Sequence, residues 1–417
     1  MPESKLSGGA RAAAAPTPQA WQRYPVCVAF TGGGTGGHIY PGLAVIEAMK
    51  ALGFDGRIVW IGSQKELDRT IVASRGVEYF AIPSGKFRRE LSLRNLTDIA
   101  RIIAGYAKAS SILKELRPAL LFSKGGYVSV PPCRAAAKLG IPVITHESDA
   151  SPGLATRLNS AKAMTILTSW EETATRFAPS LREKVLRAGN PIRPSLFGGE
   201  RTRGLERLGL RGDKPVLFVL GGSQGAREVN DLVLAALPTL ASRLQIVHQT
   251  GTANFDEVRA RIPDDAVIRA SYRPLAYVGE EIADIYAASD IVAGRAGAGT
   301  VWEAASLGKP MVLIPLAGAG TRGDQVENAA LAEKAGAAAV LLGPSLSPDT
   351  FARAVVDMLS PKRMDTAVRA CAVLTRIAPS GAIGGLRDEH SLSAMPSAEF
   401  IARLVLHTLD ARAKEAR

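Results

Sequence analysis

One stretch constrains this chain more than any other: Thr31-Gly32-Gly33-Gly34-Thr35-Gly36-Gly37-His38. Before it runs Val26-Cys27-Val28-Ala29-Phe30, apolar and rich in β-formers. After Ile39-Tyr40-Pro41 the segment from Leu43 to Leu52 is rich in alanine and leucine, and Gly53 suits the position just past a helix end. The glycines therefore sit in a strand-to-helix turn. Such a turn lets backbone approach a ligand closely and aims free N–H groups and a helix dipole at an anion. Gly32, Gly34 and Gly37 fit the G-x-G-x-x-G spacing of a dinucleotide site. That reading asks for an acid at the end of the second strand to hold a ribose. The second strand, Arg57 to Ile61, ends in Gly62-Ser63-Gln64, so a nicotinamide cofactor is not expected.

The same pattern recurs along the chain. Short apolar runs alternate with helical segments over residues 25–170, the sign of parallel βαβ units. Ala119-Leu120-Leu121-Phe122 feeds a second glycine turn at Gly125-Gly126-Tyr127, and Pro142 to Thr145 ends in His146-Glu147-Ser148-Asp149. Polar residues just past the carboxyl ends of parallel strands are where open α/β sheets bind ligands. His38, the Gly125-Gly126 turn and the His146–Asp149 cluster should therefore share one crevice. Gly189-Asn190-Pro191-Ile192-Arg193-Pro194 reads as a hinge, after which Val216 to Leu220 leads into Gly221-Gly222-Ser223-Gln224-Gly225. This restart predicts two Rossmann-like halves. A further strand, Asp290 to Ala293, precedes a helix starting near Gly299, whose first N–H groups and Thr300 hydroxyl suit a phosphate. Glu303 lies one turn in, where a carboxylate either accepts from sugar hydroxyls or complements the helix dipole. Another helix opens at Asp324-Gln325.

At 417 residues the chain suits two domains. We place a disordered extension at 1–24, a first domain at 25–188, a second at 189–377, and a loop with a final amphipathic helix at 378–417, where Phe400, Ile401, Leu404, Val405 and Leu409 recur at helical spacing. No stretch approaches the roughly 18 apolar residues of a membrane-spanning helix. Residues 1–24 lack the apolar core of a secretory signal. The three cysteines, Cys27, Cys133 and Cys371, are far apart with no metal spacing, as in proteins of a reducing compartment. The net charge of +12 points to an anionic partner. The basic residues are spread out and carry no nucleic-acid motif, so nucleic acid is not expected.

Between the first two glycine turns, Phe87, Leu91 and Leu93 interleave with Arg88, Arg89 and Arg94. That loop suits the surface of an anionic membrane. The following stripe of Leu96, Ile99, Ile102, Ile103 and Tyr106 has helical spacing and is expected to face the core.

These motifs, in this order, resemble the MurG family of peptidoglycan N-acetylglucosaminyltransferases. The resemblance spans residues 26 to about 340. It is carried by Gly33 to His38 with Pro41, Ser123 to Val128, His146 to Asp149, Gly189 to Arg193, Gly221 to Ala226, Arg295 to Ala298 with Glu303, and Asp324-Gln325 with Asn328. It implies an α/β GT-B architecture, two Rossmann-like domains facing across a cleft, with a final helix returning to the first. It also implies transfer of GlcNAc from UDP-GlcNAc to the C4 hydroxyl of undecaprenyl-diphospho-MurNAc-pentapeptide, with inversion, at the cytoplasmic face of the inner membrane. Carried over by motif, the donor contacts are Thr35, Gly36, Gly37, Arg193, Ser223, Val278, Ala298, Gly299, Thr300, Glu303, Gln325 and Asn328. Gly125, Gly126 and Tyr127 fall to the acceptor and its phosphates. Cell-wall synthesis proteins are implied as partners. Many members read Glu-Gln-Asn where this chain has Glu147-Ser148-Asp149, and His where it has Asp324.

Inversion needs a base for the incoming hydroxyl and support for the departing diphosphate. His38, at a helix start that disfavours the imidazolium, is the expected base, and Asp149 is its rival. No D-x-D pair occurs, so no metal is expected and helix N-termini would hold the UDP. Three alternatives stay open: another glycolipid transferase of the same architecture, a UDP-GlcNAc 2-epimerase, and a non-catalytic nucleotide-sugar binder.

Overall fold

The structure is a computed structural model; it describes residues 26–85, 94–221, 225–318, 321–377 and 395–415. The expected extension at 1–24, most of the loop at 378–395, and Ser223, Phe87, Arg88, Arg89, Leu91 and Leu93 lie outside the described residues.

The first sheet contains β1 (Cys27–Thr31), β2 (Arg57–Gly62), β3 (Glu78–Ala81), β4 (Leu120–Ser123), β5 (Val143–Glu147), β6 (Thr165–Thr168) and β7 (Val185–Arg187). The second contains β8 (Val216–Leu220), β9 (Gln245–Gln249), β10 (Tyr272–Leu275), β11 (Ile291–Gly294), β12 (Met311–Leu313) and β13 (Ala338–Val340). The spatial orders are β3-β2-β1-β4-β5-β6-β7 and β10-β9-β8-β11-β12-β13, and the strand pairings are parallel. Both sheets reverse direction between their first and fourth strands, the point where such sheets open a ligand crevice. In the first sheet Thr31 pairs with Ser123, so the two glycine turns emerge side by side.

Helices cover both faces of each sheet, so the strands are apolar throughout rather than alternating. Within β1, Val28 and Phe30 join Trp60 and Phe122 in one core, and Ala29 joins Val59, Ile61 and Leu121 in the other. In β8, Phe218 and the pair Leu217 and Val219 divide in the same way. The helix Tyr40–Ala51 lies close on its sheet because Gly42 has no side chain: a Cβ there would sit 2.6 Å from the Trp60 ring.

The final helix, Ser397–Glu415, buries Phe400, Ile401, Val405 and Leu409 in the same core as Leu43, Ile46 and Met49 of the helix Tyr40–Ala51. The chain thus leaves the first domain after β7 and comes back to it at the end. The two crossings touch. Gly189 has φ +67°, and a Cβ on it would lie 2.2 Å from Ser397 Oγ and 3.4 Å from the Trp302 ring. Trp170 of the first domain meets Trp302 of the second edge-on, with centroids 5.3 Å apart.

One expectation is corrected. The helix Arg94–Leu116 buries Ala109, Ile112 and Leu113, but Ile99, Ile103 and Tyr106 are 42, 63 and 37 % exposed. Periodicity reports which residues share a face; it does not report whether anything covers that face.

Candidate functional site

The site grows from the glycine turn after β1. A short 3₁₀ turn, Gly36–His38, leads into the helix Tyr40–Ala51. Asp68, itself buried, accepts from the Gly34 amide at 2.8 Å and from Ser63 Oγ at 2.7 Å. Trp60 Nε1–H donates to the Gly32 carbonyl at 3.1 Å, and Lys65 Nζ donates to the Gly34 carbonyl at 3.1 Å. Thr35 and Gly37 stay exposed, open to a ligand. The turn is closed from the other side by Tyr127, whose Cε1 would be 2.6 Å from a Cβ on Gly34. Gly34 is also at φ +88°, so glycine is needed there twice over.

The imidazole of His38 lies on the second glycine turn. A Cβ on Gly126 would come within 2.9 Å of His38 Cδ2. Its Nδ1 is buried without a hydrogen-bond partner of good geometry. Burial first, then the positive charge of Lys124, push its pKa down from 6.5 to about 4; Asp149 and the Lys124 backbone act the other way. The ring is therefore neutral at ordinary pH, a state able to accept a proton.

At the ends of β4 and β5 the polar groups form a connected set. Lys124 is fully buried, and its Nζ donates to Ser148 Oγ, which donates to Asn190 Oδ1 at 2.7 Å. His146 Nε2 meets the Gly189 carbonyl at 2.8 Å. Glu147 accepts from the amides of Asp149 and Gly153, each at 3.0 Å. Asp149 is clasped from the second domain: Asn328 Nδ2 donates to one oxygen at 3.1 Å and Arg322 to the other at 3.1 Å. Burial, then Glu147, raise the Asp149 pKa. Gly125, Gly126 and Tyr127 stand directly between this set and the first glycine turn.

Across the cleft, the helix Ala298–Ser306 starts with no side-chain cap on its N-terminal N–H groups. Neither Gly297 nor Gly299 has positive φ, and a Cβ on either would meet no described atom within 4 Å. Thr300 is half-buried beside it. Glu303 is held by Arg193 at 3.5 Å and by the Tyr286 hydroxyl at 3.2 Å. Burial raises the Glu303 pKa, and Arg193 opposes that rise. The Arg193 guanidinium also lies over the Tyr40 ring, 5.3 Å from its centroid, which joins the donor side to the helix that begins just after His38.

Two expected donor residues have buried side chains. Val278 is buried, so only its backbone can face a base, while its neighbour Tyr277 is exposed. Asn328 is fully buried and its amide is spent on Asp149, the Ala296 carbonyl and the Ala150 amide. It joins the domains and does not line open space, because docking of the two domains claims its side chain. Gln325 Oε1 accepts from the Leu316 amide at 2.9 Å, leaving its amide hydrogens for a ligand.

Lys124, Asp68, Tyr286 and Arg322 belong to the site but were not among the residues expected. Lys124 stood inside a quoted motif, between a strand and a glycine turn; nothing in the sequence marks it as buried. Among the described residues, no group of three or more His, Cys, Asp or Glu side chains could hold a metal ion. No described helix is long and apolar enough to cross a membrane. Arg94 opens the helix that carries the exposed Ile99, Ile103 and Tyr106, and a groove of about 430 Å³ between Ile102, Tyr106, Val130, Pro131 and Arg134 adjoins them.

With this geometry in place, comparison with known proteins is informative. The glycosyltransferase family 28 N-terminal domain matches residues 28–168, and the glycosyltransferase family 28 C-terminal domain matches residues 216–378. The chain is 48 % identical over 344 residues to the UDP-N-acetylglucosamine–N-acetylmuramyl-(pentapeptide) pyrophosphoryl-undecaprenol N-acetylglucosamine transferase of Treponema denticola, covering 80 % of this chain and 88 % of that one. It is similar to the crystal structure of Acinetobacter baumannii MurG, with TM-score 0.64, 26 % identity, and coverage of 83 % and 95 %. A Neisseria meningitidis UDP-GlcNAc 2-epimerase shares the fold at TM-score 0.58 and 14 % identity, with coverage of 92 % and 99 %.

Proposed function

Since the chain belongs to the MurG family within glycosyltransferase family 28, we propose that His38 is the base and that helix starts hold the leaving UDP in this chain's reaction. The protein is a UDP-GlcNAc-dependent glycosyltransferase that carries GlcNAc to the lipid-linked MurNAc-pentapeptide, forming lipid II. In the proposed step the acceptor O4–H gives its proton to the neutral His38 ring as O4 bonds to the anomeric carbon. The bond from that carbon to the diphosphate breaks, and its electron pair leaves on UDP. The new bond forms on the opposite face, so the centre inverts.

The observation that carries this assignment is the contrast between the two rival bases. The His38 ring is held neutral and able to accept a proton, whereas both oxygens of Asp149 are engaged by Asn328 and Arg322. The uncapped start of the helix Ala298–Ser306, together with Ser223 as the resemblance assigns it, would stabilise the charge growing on the diphosphate. Arg193, Glu303 and the backbone at Val278 would hold the nucleoside, and Thr35, Gly36, Gly37, Thr300 and Gln325 the phosphates and sugar. No metal is assigned a role. The Gly125-Gly126-Tyr127 turn would take the acceptor diphosphate.

The uncovered face of the helix Arg94–Leu116 and its groove support peripheral docking on an anionic membrane, as at the cytoplasmic face of an inner membrane.

The deciding experiment incubates the protein with UDP-GlcNAc and a lipid-linked muramoyl-pentapeptide. Disaccharide product is expected. UDP-ManNAc formed without acceptor would instead identify an epimerase.

A further inference from the structure

Lys124 is among the largest fully buried side chains of the molecule, and the transfer step does not use it. It stands at the carboxyl end of β4, where the first sheet reverses direction, and its backbone N–H donates to the Thr31 carbonyl of β1 at 2.8 Å. Its stem starts beneath the first glycine turn: a Cβ on Gly32 would lie 3.3 Å from the Lys124 Cβ, and one on Gly42 3.9 Å. Its ammonium ends at β5, on Ser148, and through Ser148 reaches Asn190 in the first crossing between the domains. One side chain thus links the catalytic turn, the end of β5 and the hinge.

Burying an ammonium carries a heavy desolvation penalty, and an apolar side chain of similar volume would fill the same space with less. Here that penalty is met among charges that matter to the reaction. Burial lowers the Lys124 pKa to about 8, while Glu147 and Asp149 work to keep it charged. The same ammonium is the largest charge acting on His38 and on His146. The other charged groups acting on His38 are Asp149, past β5, and Arg322, from the second domain.

We propose that Lys124 is a positioning residue for the transfer: a buried ammonium set between the His38 turn and the carboxylates after β5, which ties the end of β5 to the interdomain hinge through Ser148 and Asn190. The proposal rests on the reading of His38 as base. Without the ammonium, Asp149 would face His38 with only Arg322 to oppose it. Burial would still disfavour the imidazolium, but less of the depression would remain, and activity would fall away at a higher pH on the acid side.

The test measures kcat/KM against pH for wild type, Lys124→Met, Lys124→Arg, Ser148→Asp and His38→Ala, with UDP-GlcNAc affinity and Tm alongside. For Lys124→Met the acid limb should move up by about one pH unit or more, the scale of a nearby charge. Loss at pH 4.5 should then exceed loss at pH 7, with donor Kd within about twofold, because most of the proposed donor contacts lie on the other domain. Lys124→Arg should keep the limb in place. Should Lys124→Met not fold, Ser148→Asp sets a carboxylate against the same ammonium and should move the limb in the same direction. A folded Lys124→Met or Ser148→Asp variant whose acid limb stays put, or whose loss is equal at every pH, overturns the proposal alone. A limb that survives His38→Ala overturns the base assignment and this proposal with it.

Discussion

Asn328 reaches across the cleft to donate its Nδ2 hydrogen to Asp149 Oδ1 at 3.1 Å, and its own Oδ1 accepts the amide of Ala150 at 2.9 Å. A residue of the second domain thereby holds both the side chain and the backbone of the loop after β5. With Arg322 on its other oxygen, Asp149 fastens the two domains and has little capacity left for an incoming hydroxyl.

Asp149→Asn is therefore expected to lower kcat by about tenfold, the scale of one or two lost charge-assisted contacts, and to keep an acid limb in the pH profile, moved to lower pH by loss of the carboxylate that raises the His38 pKa. Asn328→Ala should act alike, and the double variant should be little worse than either single one, since both remove the same link. If Asp149→Asn loses as much as His38→Ala and the acid limb goes with it, Asp149 is the base.

His38→Ala should lower kcat by roughly 10²–10⁴, the range for a general base, with donor affinity nearly unchanged. In wild type the acid limb should lie near pH 4, where His38 titrates, and not near 6.5. The same depression affects stability. Between pH 6.5 and about 4 the unfolded chain binds a proton at this residue that the folded chain does not. The stabilisation is full above pH 6.5 and is lost as pH falls through that window. Urea midpoints at pH 7 and pH 4 should differ less in His38→Ala than in wild type.

Metal removal is a separate check. With dipoles and hydroxyls supporting the leaving group, turnover after exhaustive EDTA treatment should stay within about twofold of the untreated rate. A strict need for Mg²⁺ or Mn²⁺, restored on titration, would require a different leaving-group scheme.

Gln325 offers a test of sugar choice. Its Oε1 is held by the Leu316 amide, so its amide hydrogens would act as donors to GlcNAc hydroxyls. Gln325→Ala should depress GlcNAc transfer and narrow the preference over UDP-GalNAc by about tenfold, because an unpaired donor no longer penalises the C4 epimer. A constant ratio of kcat/KM between the donors, with a lowered Tm, would confine Gln325 to holding the loop at Leu316.

Vesicle binding addresses the exposed helix face. Replacing Ile99 and Ile103 by serine should weaken binding to phosphatidylglycerol vesicles by about tenfold or more, and salt should weaken the electrostatic part in wild type. Leu91→Ser/Arg89→Glu tests the adjoining loop separately. Equal binding by all three proteins would remove this surface from the interface.

What the sequence revealed was local. The strand, glycine turn and helix at Cys27–Ala51 follow from apolar runs and from glycines that only a tight turn requires, and the structure finds them within a few residues. Gly53 at φ +88° ends that helix as its type predicts. The contacts of Asp149 with Asn328, of Tyr40 with Arg193 and of Gly189 with Ser397 join residues more than 140 positions apart. They depend on how two completed domains dock, which no local pattern encodes. Lys124 illustrates the same limit in charge: a lysine beside a glycine turn looks solvent-exposed until the burying elements are in place. The stripe at Ile99 and Ile103 failed in the opposite sense, since a periodic face carries no record of its cover.

The return of Ser397–Glu415 to the first domain has a consequence for how the protein is made. The core around Leu43 and Ile46 is not complete until Phe400, Ile401 and Val405 join it. The second sheet, by contrast, draws its strands from one unbroken span, Val216 to Val340. On the ribosome the first-synthesised domain must therefore wait, with part of its apolar surface uncovered, while the later one assembles. The helix Ser397–Glu415 thus completes a core begun more than 300 positions earlier, so a product cut short before Ser397 would leave the helix behind the catalytic turn partly uncovered.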